Sequence, residues 1–218
     1  MAATQVNPTR MELTRLKRKL ATAIKGHRLL KDKRDELMRE FLDLVRENME
    51  LRKKVEREIQ DANRNFVLAK AGMSEEILQA AMMAPKQEVY LKNDTKNVMS
   101  VDIPVFDYTT RTADKNDIFA YGFAYTSSDL DGAVQSLSDT LPDMLKLAEV
   151  EKSCQLMASE IEKTRRRVNA LEHVIIPETQ QGIRYITMKL DENERSTQVR
   201  LMKVKDMMLN EAHHYDEK

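Results

Sequence analysis

The sequence predicts a mainly α-helical fold. The N- and C-terminal parts of the chain would form a long antiparallel two-helix coiled coil, with a small central insert containing a short helix and a β-hairpin. Charged residues make up 33% of the 218 residues and aromatic residues only 5%, which leaves little material for a thick globular core. There are only 5 Gly and 5 Pro, as is typical of long helices. At both ends of the chain, apolar residues recur every three or four positions, the spacing of a coiled coil.

The first predicted element is a long helix within residues 1–71. Thr9 followed by Glu12 fits a capping box, and Pro8 cannot continue a helix backwards. From Leu13 the three-four alternation is sustained over several heptads, and Gly72 is the first clear stop. The apolar positions assigned to the coiled-coil seam on this helix are Leu13, Leu16, Leu20, Leu30, Leu37, Leu44 and Leu51.

Polar residues and a glycine also fall within this helix. His27, Arg34 and Asn48 occupy seam positions, where polar residues commonly set the register of a coiled coil. Gly26 is interpreted as a place where two helices approach closely, because an interior glycine costs a helix about 1 kcal/mol relative to alanine.

The insert, residues 72–127, has a different character. Ser74 precedes an apolar segment that ends at Pro85, which predicts a short capped helix. Apolar residues on both sides of Asn93–Asp94 predict a β-hairpin with its turn at that dipeptide, closed by Pro104. We interpret the hairpin either as a partner contact or as a cap on the end of the coiled coil. The remaining residues of the insert show no usable period.

Helical character returns in the third part of the chain, residues 128–218. Pro142 is a candidate break, and a second seam then runs towards Pro177. We expect one long helix with a kink at Pro177, because a proline removes one backbone hydrogen bond without ending a strongly driven helix. The assigned seam residues are Val150, Met157, Ile161, Val168, Leu171 and Ile175. After Pro177 the pattern resumes at Ile183, Ile186 and Leu190, and later at Leu201, Val204 and Met208.

Each seam needs a partner. The economical arrangement pairs the two seams with each other, antiparallel, with the insert at the turn, although the sequence also allows pairing between two chains. Cys154 is the only cysteine, so no intrachain disulfide can form, which suits a reducing compartment. Its seam position predicts a small buried hydrophobe and not a nucleophile.

Charge is distributed unevenly along the chain. The totals cancel at 36 basic and 36 acidic residues, but residues 10–31 hold eight Lys or Arg against one Glu. Residues 85–143 hold five basic and ten acidic residues. The basic segment predicts either a surface that faces an acidic or polar partner or a simply solvated face.

Signatures of other function classes are missing from the sequence. The glycines are too widely spaced for a phosphate-binding loop, and His213–His214 is a weak candidate metal site. The basic run at 163–167 has no neighbouring aromatic residue, which favours a solvated helix face over nucleic-acid binding. No apolar run approaches the about 20 residues of a membrane span, and nothing resembles a signal peptide. We therefore expect a cytoplasmic chain that is not an enzyme, with no catalytic residue, cofactor or metal.

Three segments carry a family resemblance. NPTRMELTRLKRKLATAIKGHRLLKDKRDELM, residues 7–38, contains PTR, the LxxLKxxL spacing and the block GHxLLKxKRDEL. NVMSVDIPVF, residues 97–106, and RRRVNALEHVIIPETQQGIRYI, residues 165–186, extend the match. Together they resemble the D subunits of the V-type and archaeal A-type ATPases over nearly the whole chain.

The resemblance implies a role as the central-stalk rotor shaft of a rotary ATPase. Such a shaft couples ATP hydrolysis or synthesis in a catalytic ring to rotation of a membrane rotor that moves sodium or hydrogen ions. The implied partners are the catalytic and regulatory ring subunits of A and B type, the small F-type stalk subunit, and a funnel-shaped subunit that rests on the membrane rotor ring. The chain would be cytoplasmic and peripheral to the membrane, with the ATP and the catalytic residues on other chains.

Within that interpretation, the basic surface would face the inner wall of the catalytic ring. The cations assigned to this contact are Arg10, Arg15, Lys17, Arg18, Lys19, Lys203 and Lys205. Two alternatives come from other classes: a prefoldin-like coiled-coil chaperone, and a structural tether built from a homodimeric coiled coil. Prefoldin subunits are much shorter and have more apolar tips, which weighs against the first alternative.

Overall fold

A computed structural model describes the backbone of residues 7–114, 117–122 and 126–216, and the side chains of these residues up to 210. The described residues form long helices at both ends with a short helix and a hairpin between them, which confirms the predicted fold. In chain order the elements are α1 (Arg10–Gly72), α2 (Glu75–Met82), β1 (Val89–Val98), β2 (Val101–Thr110), α3 (Ser128–Ala170), a π-helical turn (Leu171–Ile175) and α4 (Ile176–Asp216).

The chain divides into two compact units that cut across these elements. The terminal unit comprises residues 1–33 and 164–218, and the central unit comprises residues 34–163. The three-part division drawn from the sequence stays a prediction. In the described part of the chain, no helix combines the length and the apolar character needed to cross a membrane.

Helix α1 begins and ends where its sequence predicts. The backbone N–H of Glu12 donates to Thr9 Oγ1 at 3.2 Å, and the N–H of Leu13 donates to the Thr9 carbonyl at 3.0 Å. The first bond satisfies one of the donors that a helix start leaves unpaired, and the second is the first intrahelical bond, which the N-cap carbonyl accepts. The helix then continues to Gly72.

In the terminal unit, α1 runs antiparallel to the C-terminal helical segment. Arg10 of α1 forms an ion pair with Glu194, and further along α1 the Nε2 atom of His27 lies 3.4 Å from Glu172 Oε2. Position in the sequence thus rises along one helix as it falls along the other. Ile186 has no exposed surface.

In the central unit, α1 and α3 also run antiparallel. Lys146 Nζ lies 3.3 Å from Glu47 Oε1, and Lys54 Nζ donates to Asp143 Oδ2 at 2.5 Å. The ion pairs within each unit show that the two seams pair with each other inside one chain. The main core cluster of the central unit consists of Leu37, Val101, Met157 and Ile161.

The short helix α2 closes the C-terminal end of α1. Its N-cap is Ser74, whose Oγ accepts a hydrogen bond from the N–H of Ile77 at 3.4 Å, as predicted. Leu78 of α2 is buried in a second cluster with Ala69 of α1 and Leu130 of α3. This cluster covers the last turns of α1 with apolar side chains from two other helices.

The hairpin exists, but its predicted turn is wrong. Asn93–Asp94 lies within β1, and the turn falls at Met99–Ser100, between the paired residues Val98 and Val101. Both turn residues have positive φ, 50° and 71°, which a two-residue type I′ turn requires. The side chain of Asn97 supports it, accepting from the N–H of Ser100 at 3.1 Å.

Pro104 also has a different place from the one predicted. It lies within β2, paired with Thr95, and does not close the hairpin. Proline is tolerated there because a two-stranded sheet has only edge strands, where a missing N–H need not break the ladder.

The two prolines of the C-terminal half leave the helix continuous. Pro142, the candidate break, lies inside α3, whose packing outweighs one lost hydrogen bond. Just before Pro177 the helix passes through the π-helical turn, where the N–H of Ile176 donates to the carbonyl of Leu171. The Thr179 hydroxyl donates to the Ile175 carbonyl at 2.5 Å. Continuity past Pro177 is therefore confirmed, with a π-bulge just before the proline. The kink at Pro177 stays a prediction.

Candidate partner-binding surfaces

The cations assigned to a partner contact are all exposed. Arg10 pairs with Glu194, and Arg15 lies 3.6 Å from Glu12. The remaining five take part in no ion pair between described residues: Lys17, Arg18, Lys19, Lys203 and Lys205. Five of the seven charges are thus available to another molecule.

Charge separates sharply between the two units. The terminal unit holds 19 Lys and Arg against 11 Asp and Glu, a formal net charge of +8. The central unit holds 17 against 25, a net charge of −8. A neutral chain therefore carries a strongly cationic unit, which favours polar or acidic partners for that unit.

Every residue assigned to the seam is at least partly buried. None of the thirteen is classed as exposed. Among them, Leu37, Val150, Met157, Ile161 and Val168 are buried, and the other eight are half-buried. The deepest burial lies in the central unit, around Leu37 and Met157.

The polar seam positions make specific contacts. His27 faces Glu172, while Arg34 bonds to its neighbour Asp35 at 2.7 Å. Burial raises the pKa of the Cys154 thiol, and a hydrogen bond with Asn48 partly offsets that rise. Cys154 is thus a half-buried thiol with a polar neighbour and not an activated thiolate.

The predicted close helix approach lies at a different glycine. A Cβ at Gly26 would meet nothing within 4 Å, whereas a Cβ at Gly182 would lie 3.3 Å from Leu16 Cδ1. The interpretation of Gly26 as a helix contact is therefore wrong within this chain. Gly182 stands in the GIRYI segment of α4, and only the pairing register reveals that Leu16 lies opposite it.

The hairpin packs against the sides of the helices in the central unit. Its turn residue Met99 and its strand residue Ile103 contact the cluster that contains Leu37 and Ile161. The N–H of Phe106 donates to a carboxylate of α3 at 3.3 Å. Since α2 closes the end of α1, the hairpin is not a cap on that end.

Sequence reasoning missed a separate apolar surface near the end of α4. Over residues 199–209, called here the α4 tip, every side chain is exposed. Leu201, Val204 and Met208 are 64%, 52% and 65% exposed, so their assignment to the resumed seam is wrong. The register could have revealed this: Arg10, the first residue of α1, already pairs with Glu194, which leaves no residue of α1 opposite the tip.

The described side chains contain no group of three or more His, Cys, Asp and Glu that could hold a metal ion. The candidate pair His213–His214 lies outside the residues whose side chains are described. The described residues present three candidate contact surfaces. These are the cationic helix pair, the hairpin packed against the sides of the helices, and the apolar α4 tip.

Comparison with known proteins identifies the family. Residues 12–206 match the family of ATP synthase D subunits. The chain is 61% identical over 218 residues to the V-type ATP synthase D subunit of Acetivibrio thermocellus, covering all of this chain and 98% of that protein. It is 56% identical over 212 residues to that of Clostridioides difficile (97% and 95% covered) and 57% identical over 204 residues to that of Clostridium botulinum strain Langeland (93% and 94%). The chain therefore belongs to the family of ATP synthase D subunits.

Proposed function

We propose that this chain is the central-stalk rotor subunit of a rotary V-type ATPase. It couples ATP hydrolysis or synthesis in a catalytic ring to rotation of the membrane rotor that moves ions. The observation that carries the proposal is that D-subunit relatives match the whole of a chain whose terminal unit is an antiparallel helix pair with exposed cations. The chain is itself non-catalytic, and it works at the membrane periphery on the cytoplasmic side.

A shaft couples rotation to chemistry by contacting equivalent sites unequally. The terminal unit is suited to this because its two helical segments differ in sequence and in net charge. Residues 1–33 hold nine Lys and Arg against two Asp and Glu, whereas residues 164–218 hold ten against nine. At any one angle, such a shaft favours a different conformation at each of three otherwise equivalent sites. That preference is a coupling free energy between shaft angle and nucleotide affinity.

The cations provide contacts that a rotating subunit can break. Exposed ion pairs contribute only about 0–1 kcal/mol each and are screened by salt, so the shaft is guided without being held at one angle. We assign Arg10, Arg15, Lys17, Arg18, Lys19, Lys203 and Lys205 to the inner wall of the ring formed by A-type and B-type subunits. The small F-type stalk subunit and a funnel-shaped subunit above the membrane rotor complete the set of partners.

The chaperone and tether alternatives are less well supported. Both would leave the match to the D-subunit family without a reason, and a homodimeric tether would need interchain seams. Here the seams pair within the chain in both units.

The direct test is native mass spectrometry of the tagged chain purified gently from its own cells, with ATPase activity measured on the same eluate. We expect one copy of this chain with three A-type and three B-type subunits, a small companion subunit and ATP turnover. A homo-oligomer, or an assembly of prefoldin-sized chains without turnover, would contradict the proposal.

Charge reversal tests the assigned cations in the same preparation. We expect replacement of Arg15, Lys17, Arg18 and Lys19 by Glu to weaken ring assembly or coupling while the isolated chain stays helical. The matched control reverses four other exposed cations of α1 that form no ion pair between described residues, namely Lys53, Arg57, Arg64 and Lys70. Equal behaviour of the two variants would refute the assignment of these four cations.

A further inference from the structure

We infer that the helix pair of the terminal unit contains a hinge at the π-helical turn, where it twists and bends more easily than on either side. The hinge level is defined here as Leu171–Ile175 together with residues 24–28 of α1, which lie opposite. The turn holds one residue more than the coiled-coil seam needs. The hinge is a property of the isolated chain, and its use as a compliant joint in a rotating shaft rests on the proposed function.

The first observation is a shift of the seam by one residue across the turn. Up to the turn, the buried and half-buried positions follow the three-four spacing: Thr164, Val168, Leu171 and Ile175. That spacing would continue at positions 178, 182, 185 and 189, but 178, 185 and 189 are exposed. The residues that follow them, Thr179, Ile186 and Leu190, are buried or half-buried instead. The C-terminal segment therefore contains one residue more than its seam requires.

The π-helical turn absorbs this extra residue. In an α-helix, one added residue would rotate every later side chain by about 100° around the axis and carry it out of the seam. The hydrogen bond from the N–H of Ile176 to the carbonyl of Leu171 spans five residues instead of four, so the turn takes up the addition. Opposite it, α1 is α-helical throughout Arg10–Gly72. The irregularity thus lies on one helix of the pair only.

The second observation is that packing is thin on both helices at the hinge level. The Nε2 atom of His27 lies 3.4 Å from Glu172 Oε2, which places the two segments opposite each other. None of the described residues 24–33 and 169–178 is buried. A Cβ added at Gly26 would meet nothing within 4 Å. The two helices therefore meet here through half-buried side chains and a partly exposed polar pair.

The backbone is also less regular at this level. Pro177 has no N–H, so the carbonyl of His173 lacks the partner that an α-helix would give it. The nearest buried residues on the same segment are Val168 before the turn and Thr179 after it. A segment with fewer regular backbone bonds and few buried contacts opens at a lower free-energy cost than its surroundings.

The position of the hinge suits a joint that transmits torque. Along α1, the hinge level follows the cations assigned to the ring, the last of which is Lys19. Torque that enters at those cations reaches the rest of α1 through the hinge level. Hinges concentrate a change of backbone angles in a few residues, so the levels around Val168 and Ile186 keep their seam contacts while the hinge deforms.

Native-state hydrogen exchange of the isolated full-length chain tests the hinge without any partner. We expect the amides of residues 171–176 to exchange about tenfold faster than those of residues 164–169 and 183–188. Fraying from the end of the pair would instead make exchange rise steadily from residue 164 to residue 194. A steady rise, or uniform exchange, would overturn the inference.

Removal of Val174 tests the role of the extra residue. The seam would then pass from Leu171 to Ile176 and Thr179 with regular three-four spacing, so we expect the fast exchange to disappear. The matched control is Val174→Ala, which keeps the chain length and changes an exposed side chain; it should keep the fast exchange. Identical exchange profiles for the deletion and the control would contradict the assignment of the extra residue.

Pro177→Ala separates the extra residue from the proline as the cause of the hinge. We expect fast exchange at residues 171–176 to persist in this variant, because the chain still holds one residue more than the seam needs. Its disappearance would make the proline the cause and overturn the inference.

Single-molecule rotation measures the hinge in the assembled complex. A bead is attached at Val67→Cys in a Cys154→Ser background, because Val67 is exposed in the central unit, and the ring is fixed to a surface. We expect a narrower spread of bead angles during pauses for the Val174 deletion than for Val174→Ala. An equal spread would refute the role of the hinge in the shaft. Failure of the unmodified chain to assemble with ring subunits would instead contradict the proposed function and leave the exchange result standing.

Discussion

The terminal and central units are built from the same long helices but differ in how much apolar surface they bury. Among the described residues, eleven buried hydrophobic residues lie in the central unit and three in the terminal unit, namely Ala23, Val168 and Ile186. The central unit adds a hairpin and α2 to its helix pair, so its side chains can be covered from a third direction. The described residues of the terminal unit form a pair of helical segments, and the outer surfaces of that pair are exposed.

The difference separates two tasks. A pair of helices alone covers only the seam, so the remaining positions of the terminal unit are free to carry charges or apolar residues for other molecules. The central unit combines its net charge of −8 with the larger core, and we expect it to contribute most of the stability of the isolated chain. Stability within one protein is not uniform, and thinly packed parts open first.

Leucine truncation in each unit gives the largest expected effect. Leu37 is fully buried in the central unit, whereas Leu30 is a half-buried seam residue of the terminal unit. We expect Leu37→Ala to lower the free energy of unfolding by about 3 kcal/mol and Leu30→Ala by about 1 kcal/mol, because a buried leucine loses both transfer energy and packing. Urea unfolding followed by far-UV circular dichroism measures both.

Leu29→Ala is the control for helix propensity, since Leu29 is 69% exposed on the same helix; it should change stability by less than about 0.5 kcal/mol. Native-state hydrogen exchange should then show smaller opening free energies for amides of residues 10–33 than for those of residues 34–60. Equal losses for Leu37→Ala and Leu30→Ala would mean that the two units are packed alike.

Much of the fold was predictable because it follows from local rules. The Thr9 and Ser74 caps and the stop at Gly72 depend on a few neighbouring residues. The heptad spacing identified the long helices without any knowledge of their contacts. These features need no information about which residues are opposite one another.

The errors came from features that depend on pairing. The turn at Met99–Ser100 has neither the glycine nor the asparagine that positive φ favours, so local sequence favours the dipeptide Asn93–Asp94 instead. Gly182 contacts Leu16 only because of the helix register. The exposed α4 tip has the composition of a seam, and only the start of α1 at Arg10 excludes it from one.

Two glycines measure how tightly the terminal unit is packed. At Gly26 an added Cβ meets nothing within 4 Å, so Gly26→Ala should raise the free energy of unfolding of the isolated chain by about 0.5–1 kcal/mol, the usual gain in helix propensity. At Gly182 an added Cβ lies 3.3 Å from Leu16 Cδ1. We expect Gly182→Ala to gain less than Gly26→Ala in urea unfolding, because the leucine must move by a few tenths of an ångström.

The double variant Leu16→Ala with Gly182→Ala is the control, since removal of the leucine methyls should restore the gain at position 182 relative to Leu16→Ala alone. If Gly182→Ala stabilises the chain as much as Gly26→Ala, the terminal unit is packed more loosely than its contacts indicate. The difference in packing between the terminal and central units is then larger.

The smallest expected effect concerns Cys154, which forms a hydrogen bond with Asn48 in the seam of the central unit. Burial raises the pKa of the Cys154 thiol, so the neutral thiol is favoured in the folded chain relative to the unfolded one. This contribution to stability is present below the unfolded pKa of about 8.5 and is lost as pH rises through the higher folded pKa. Between pH 8 and 10, the unfolding free energy of the wild type should therefore fall slightly more than that of Cys154→Ser, in which this site does not titrate. Alkylation by iodoacetamide should also be slower in folded than in urea-unfolded chain. Parallel pH curves would mean that water reaches the seam at Cys154, and the central unit would then be less fully closed there than the burial of Leu37 and Met157 indicates.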